Sequence, residues 1–132
     1  MIRYFLDTDI CVEVIRRKSP QTAARLYENA ERSVAISSIT LAELSFGVAK
    51  SSDPQKACDA LVHFIAPLIT LPFDDEAANE YGLLRARLER SGRRIGALDM
   101  LIAAQALAAN LVLVTNNLHK FARIDGLTVE SW

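Results

Sequence analysis

Cysteine is scarce in this chain of 132 residues: Cys11 and Cys58 are the two, and they lie far apart. Each sits in an apolar stretch, and a free cysteine packs as a small hydrophobe, so both are expected in the core. Histidine is equally rare. His63 and His119 are not at zinc-ligand spacing and no Cys-x-x-Cys pair accompanies them, so a structural zinc site is not expected. An excess of one charge is also missing, with 15 Lys+Arg against 16 Asp+Glu and a formal net charge of −1. That balance argues against a polybasic nucleic-acid binder, whose phosphate contacts show as bulk positive charge. No apolar run is long enough for a membrane. The longest, Ala97 to Thr115, is broken by Asp99, Gln105 and Asn110. Asp7 arrives too early for the apolar region of a signal peptide, so a cytoplasmic protein is expected.

What is present is a globular composition, 51% hydrophobic and 23% charged, at the usual length of a single domain. No repeat, linker or low-complexity stretch interrupts it, so one domain over residues 1–132 is expected. Ile2–Leu6 reads as a strand and Asp9 to Lys18 as a short helix with a basic end. Ser19-Pro20 and Asp53-Pro54 each read as cap and first residue of a helix. Val34–Ile36 reads as a second strand leading through Ser37-Ser38 into a helix to Lys50, and Leu68–Leu71 as a third strand. The longest helix starts on Asp74-Asp75-Glu76, where the dipole favours acids, and stops at Gly92. A strongly apolar helix runs from Asp99 to Asn110, followed by a strand at Leu111–Val114 and a last one at Thr128–Val129. This alternation predicts an α/β fold with a parallel sheet covered on both faces.

The polar residues within this pattern carry the chemical information. Asp7 follows the first strand, Asp9 comes two residues later, and Asn116 and Asn117 follow the fourth after Thr115. Glu43 lies early in the helix after the second strand, and Asp99 opens the helix before the fourth. Ligands of open parallel sheets bind beyond the carboxyl ends of the strands, the edge on which Asp7 and Asn117 are expected. Each residue also has a structural reading. Asp9 and Asp99 are ordinary N-caps, Thr40-Leu-Ala-Glu43 matches a capping box, and Asn116-Asn117 reads as a turn. Asp7 resists that reading, because a carboxylate closing a buried strand is costly unless paired or holding a cation. Three acids brought together repel one another unless a cation lies between them. Hard Mg²⁺ or Mn²⁺ suits such oxygen donors and would support phosphodiester hydrolysis.

With these residues in view, the sequence resembles the VapC toxins of bacterial toxin–antitoxin pairs, which are PIN-domain ribonucleases. The likeness runs from Phe5-Leu-Asp-Thr-Asp-Ile10 through Ser37-Ser-Ile-Thr-Leu-Ala-Glu-Leu44 and Gly96-Ala-Leu-Asp-Met-Leu-Ile-Ala-Ala104 to Val114-Thr-Asn-Asn-Leu-His-Lys-Phe121. It implies a PIN-like three-layer α/β/α domain with a short parallel sheet flanked by helices. It implies Mg²⁺ or Mn²⁺ held by Asp7, Glu43 and Asp99, with Thr8, Asp9, Thr115 and Asn116 in support. Asp9 stands where the family more often has Asn. Asn117, carried over as a catalytic residue with those three acids, stands where many relatives carry a fourth acid. It can accept a hydrogen bond or coordinate through its carbonyl but brings no charge, which favours one resting metal over two. The implied reaction is endonucleolytic cleavage of structured RNA, chiefly tRNA, leaving a 5′-phosphate and a 3′-hydroxyl. The implied partners are a VapB-like antitoxin and a second copy of the chain. Arg16, Arg17, Lys18, Arg85, Arg87, Arg93 and Arg94 are the candidate RNA contacts, each equally at home on a solvated helix end or loop. His119 is considered as a proton shuttle.

Asp7-Thr-Asp9 also matches the opening of haloacid-dehalogenase phosphatases, in which Asp7 would be the nucleophile. The chain is short for that fold, and its late strand leads to Thr-Asn-Asn instead of an acid pair. A receiver-like signalling domain shares the size and strand-end acids, but the lysine it expects after a late strand is absent here. A non-catalytic module on the same fold is the remaining alternative. With the three acids assigned to a metal, 15 basic residues face 13 acidic ones, a mildly basic surface around one acidic pocket.

Overall fold

The computed structural model describes residues 1–132, side chains at positions 31 and 32 excepted. Five parallel strands form one sheet in the order β3-β2-β1-β4-β5: β1 (Tyr4–Leu6), β2 (Val34–Ser37), β3 (Ile69–Leu71), β4 (Val112–Val114) and β5 (Val129–Glu130). Between them run α1 (Thr8–Ile15), α2 (Pro20–Ser33), α3 (Ser38–Ala49), α4 (Pro54–Ile65), α5 (Asp75–Arg90), α6 (Ala97–Ala109) and the short α7 (Leu118–Phe121).

Strand residues alternate between two cores because successive side chains point to opposite faces. Phe5, Ala35 and Leu113 pack with Leu84 and Leu88 of α5 and Ile102 and Ala103 of α6. Tyr4, Leu6, Val34 and Ile36 pack on the other face with Ile10, Leu26, Leu44 and Phe64. The result is the expected three-layer α/β/α arrangement. Gln105, buried inside α6, accepts the Ser37 hydroxyl and donates to the carbonyls of Leu71 and Pro72, which ties α6 to the carboxyl ends of β2 and β3.

The caps fall differently from the sequence reading in three places. Asp7, not Asp9, caps α1, because its Oδ1 accepts the Ile10 amide at 2.9 Å. Ser37 caps α3, so Thr40 and Glu43 lie inside the helix and form no capping box. Gly96 is the N-cap of α6, which sets Asp99 in its first turn and frees the carboxylate for other contacts. Asp53 and Asp74 do cap α4 and α5. Ser19 holds the cap position of α2, but its hydroxyl meets Thr22 instead of the backbone. Gly92 follows α5 at φ +70°, a conformation that only glycine takes without strain. Arg17 turns the chain at φ 56° and stops α1 short of Lys18. Cys11 is fully buried as expected, whereas Cys58 is exposed on α4, whose apolar stripe is carried by Leu61 and Phe64.

Candidate active site

The three central strands end at one edge, and the chemistry-bearing residues gather there. Asp7 leaves β1 with its amide bonded to Val114 O of β4 at 3.0 Å. The residue is 2% exposed. Oδ1 is taken by the Ile10 amide and Oδ2 accepts the Thr115 hydroxyl at 2.5 Å. Thr115 Oγ1 in turn accepts the Asn117 amide at 3.0 Å. Burial pushes the Asp7 carboxyl up to about 6 from 3.8. The bonds from Thr115 and Ile10 pull it down, and the charges of Asp9 and Asp99 add to the rise. Burial and the neighbouring acids Asp7, Glu43 and Asp9 also hold the Cys11 thiol well above its usual range, so it is an inert packing group.

Glu43 projects from α3 and accepts the Thr8 hydroxyl at 2.7 Å, and Thr8 Oγ1 lies 3.1 Å from Thr40 Oγ1. The inner turn of α3 is therefore bound to the start of α1. Asp99 enters from α6 and accepts Lys120 Nζ of α7 at 2.8 Å. Asn116 donates to Glu13 of α1 at 2.5 Å, joining the loop after β4 to the helix after β1. Asn117 caps α7, its Oδ1 accepting the Lys120 amide at 3.1 Å, so that oxygen is engaged by backbone. His119 is exposed on the same short helix.

Among the described residues, no three His, Cys, Asp or Glu side chains close on a single point as metal ligands. Asp9 and Asp99 nonetheless lie near enough for their charges to act on Asp7, and Lys120 feels all three. An open groove of about 470 Å³ begins at Thr8, Asp9 and Glu43 and continues past Val12, Arg16 and Phe46. Arg16 thus borders the acids. Arg17 and Lys18 are exposed beyond it, and Arg93 is exposed after α5. Arg85 and Arg94 are bound to Glu89, and Arg87 lies 3.7 Å from Glu80, so these three already face carboxylates on α5.

Sequence reasoning missed Lys120 and Glu13, and read Thr40 as part of a capping box. Lys120 sits inside the last motif, but a lone lysine between His119 and Phe121 signals nothing until the fold brings it to Asp99. Glu13 and Thr40 act through long-range partners that no local spacing reveals.

The fold and this edge define a class. Residues 4–127 match the PIN domain. The chain is 40% identical over 132 residues to the tRNA(fMet)-specific endonuclease VapC of Salmonella typhimurium, covering 100% of this chain and 99% of that one. It is 42% identical to Ribonuclease VapC2 of Rickettsia felis, with 98% and 97% covered. The DNA-bound VapBC crystal structure from Salmonella typhimurium superposes with a TM-score of 0.95 at 39% identity, covering 100% of this chain and 99% of that one. The promoter-DNA complex of VapBC2 from Rickettsia felis gives a TM-score of 0.93 at 41% identity with the same coverage. The chain belongs to the PIN-domain family and, within it, to the VapC proteins. That membership replaces the phosphatase and receiver readings. No helix among the described residues is long and apolar enough to cross a membrane.

Proposed function

We propose that this chain is the toxin of a toxin–antitoxin pair, an Mg²⁺- or Mn²⁺-dependent endoribonuclease that cuts structured RNA, with tRNA as the favoured substrate. The observation that carries this reading is Asp7: a buried carboxylate fixed on both oxygens, beside Asp9 and Asp99, at the carboxyl edge of a parallel sheet. A carboxyl held that far out of water and close to like charges asks for a cation.

The donor set fits a hard ion. Mg²⁺ takes one or two carboxylates and keeps several waters, so Asp7 and Asp99 would hold it, with Glu43 acting through water. The missing three-acid convergence is no obstacle to such a hydrated ion, and Asn117 adds no charge for a second. When bound, the ion would neutralise charge developing on the phosphate oxygens and acidify a water.

The chain's own residues supply the order. Thr115 and the Ile10 amide keep the Asp7 carboxylate in one orientation, and Thr8 does the same for Glu43. Glu43, which lines the groove, is assigned the proton of the attacking water. Water oxygen bonds to phosphorus, the bond from phosphorus to O3′ breaks, and the leaving oxygen takes up a proton. The products are a 5′-phosphate and a 3′-hydroxyl. Arg16, exposed and lining the same groove, is assigned an RNA phosphate. A shallow, open groove suits single-stranded loops, whose phosphates can be splayed toward the acids. The tRNA preference is supported by the name of the Salmonella relative, a tRNA(fMet)-specific endonuclease. An antitoxin partner is supported by the VapBC complexes of relatives. A homodimer is part of the same proposal.

The test is cleavage of total RNA and of purified tRNA by antitoxin-free protein, with the cut site mapped. Mg²⁺-dependent cuts within a tRNA loop are expected. A protein that binds the antitoxin but leaves every RNA intact would be a non-catalytic module.

A further inference from the structure

Lys120 is the one lysine engaged in an ion pair among the described residues, and its partner is an acid of the site. Three features hold it there. Asn117 caps α7 through the Lys120 amide, Phe121 anchors the same turn in the core at 0% exposure, and the ammonium lies 5.7 Å from the Phe121 ring centroid. The Asp99 oxygen it contacts also lies close to the start of α6: a Cβ at Gly96 would come within 3.3 Å of that same Oδ2. An ammonium is a compact point charge with three donors and no acceptor, so it cannot join a cation's ligand shell. It can only stand where a cation would stand, or move away.

We propose that Lys120 is a built-in counter-ion of the acid cluster. It holds Asp99 in the metal-free protein and competes with the divalent cation for that carboxylate, so metal loading requires the ammonium to leave. This rests on the metal reading of Asp7 and Asp99 given above. It also accounts for the observed geometry, in which three acids lie at one edge without closing on one point, because Asp99 is drawn to α7. The cost to the cation has two parts: a pair that must be broken, and a positive charge left nearby. Each is modest in a partly solvated setting, and together they weaken divalent binding by about tenfold.

Mn²⁺ binding to the full chain, measured by calorimetry with no RNA present, tests this in wild type, Lys120→Met, Lys120→Arg and Asp99→Asn. Lys120→Met is expected to bind Mn²⁺ about tenfold more tightly than wild type, and Lys120→Arg, which keeps the charge, is expected to bind like wild type. In EDTA, Lys120→Met should melt lower than wild type, and Mn²⁺ should raise its melting temperature by more. Equal or weaker Mn²⁺ binding by Lys120→Met, with wild type binding measurably and Asp99→Asn not, overturns the counter-ion role alone. No Mn²⁺ binding by any of the four proteins overturns the metal reading and this role with it.

Discussion

Thr115 and Asp7 are separated by 108 residues, yet the Thr115 hydroxyl donates to Asp7 Oδ2 across the ends of the adjacent strands β4 and β1. The direction of that bond is fixed by its surroundings. Thr115 Oγ1 already accepts the Asn117 amide, so its single proton goes to the carboxylate. One threonine therefore orients the buried acid and shapes the loop that leads to α7. Thr115→Val leaves both partners unsatisfied, and a destabilisation of about 2–3 kcal/mol is expected in urea unfolding. Thr115→Ser should recover most of it, because the hydroxyl is restored.

Asp7 makes the metal-free fold sensitive to pH. Its carboxyl rises to about 6 in the folded chain from 3.8. Below pH 3.8 it is neutral in both states and adds no penalty. Between these values the unfolded chain ionises first, and stability falls as pH rises. Above about 6 the penalty is complete. Asp7→Asn keeps the acceptor for the Ile10 amide and carries no charge. In EDTA at pH 7.5 it should be more stable than wild type by about 3 kcal/mol. The advantage should vanish near pH 4. A constant difference across this range would show that Asp7 carries no burial penalty.

The broad architecture was legible in the sequence because it follows from local signals. Strong apolar runs, Pro after Ser or Asp, and Gly after the longest helix gave the strand–helix order, and Asp7 after the first strand pointed to the carboxyl edge as the candidate site. Strand limits were read one or two residues long, as at Ile2 and Leu111, since apolar character continues past the ladder. The four-residue α7 was not foreseen, because one turn has no periodicity, and with it the position of Lys120 was invisible. Asp9, Glu43 and Asp99 all resembled caps. Deciding that none of them caps required the contacts themselves: the Ile10 amide goes to Asp7, Glu43 accepts Thr8 from the start of α1, and Asp99 accepts Lys120 from α7.

Gln105 offers a test of how the edge is held together. Its amide serves Ser37, Leu71 and Pro72 inside the protein. Gln105→Leu keeps the volume but abandons a hydroxyl and two carbonyls, and a loss of about 2–4 kcal/mol is expected by urea unfolding. A neutral result would mean that these groups reach water.

The basic residues are expected to divide as the geometry divides them. Arg16→Ala should weaken RNA binding severalfold and lower the salt dependence of log K by about one, measured by anisotropy in EDTA on inactive protein. Arg85→Ala, which removes a partner of Glu89 on α5, should leave both quantities nearly unchanged.

The central claim is that Asp7, Glu43 and Asp99 support a metal-dependent cut in RNA. The most direct measurement is the rate of tRNA cleavage by purified, antitoxin-free protein, in Mg²⁺ and in EDTA, for wild type and for Asp7→Ala, Glu43→Ala and Asp99→Ala. Each variant is checked for folding by circular dichroism. Cleavage by wild type in Mg²⁺ alone is predicted, with each folded variant slower by roughly 10³-fold or more. Wild-type cleavage that persists in EDTA, or undiminished cleavage by folded Asp7→Ala, would contradict it.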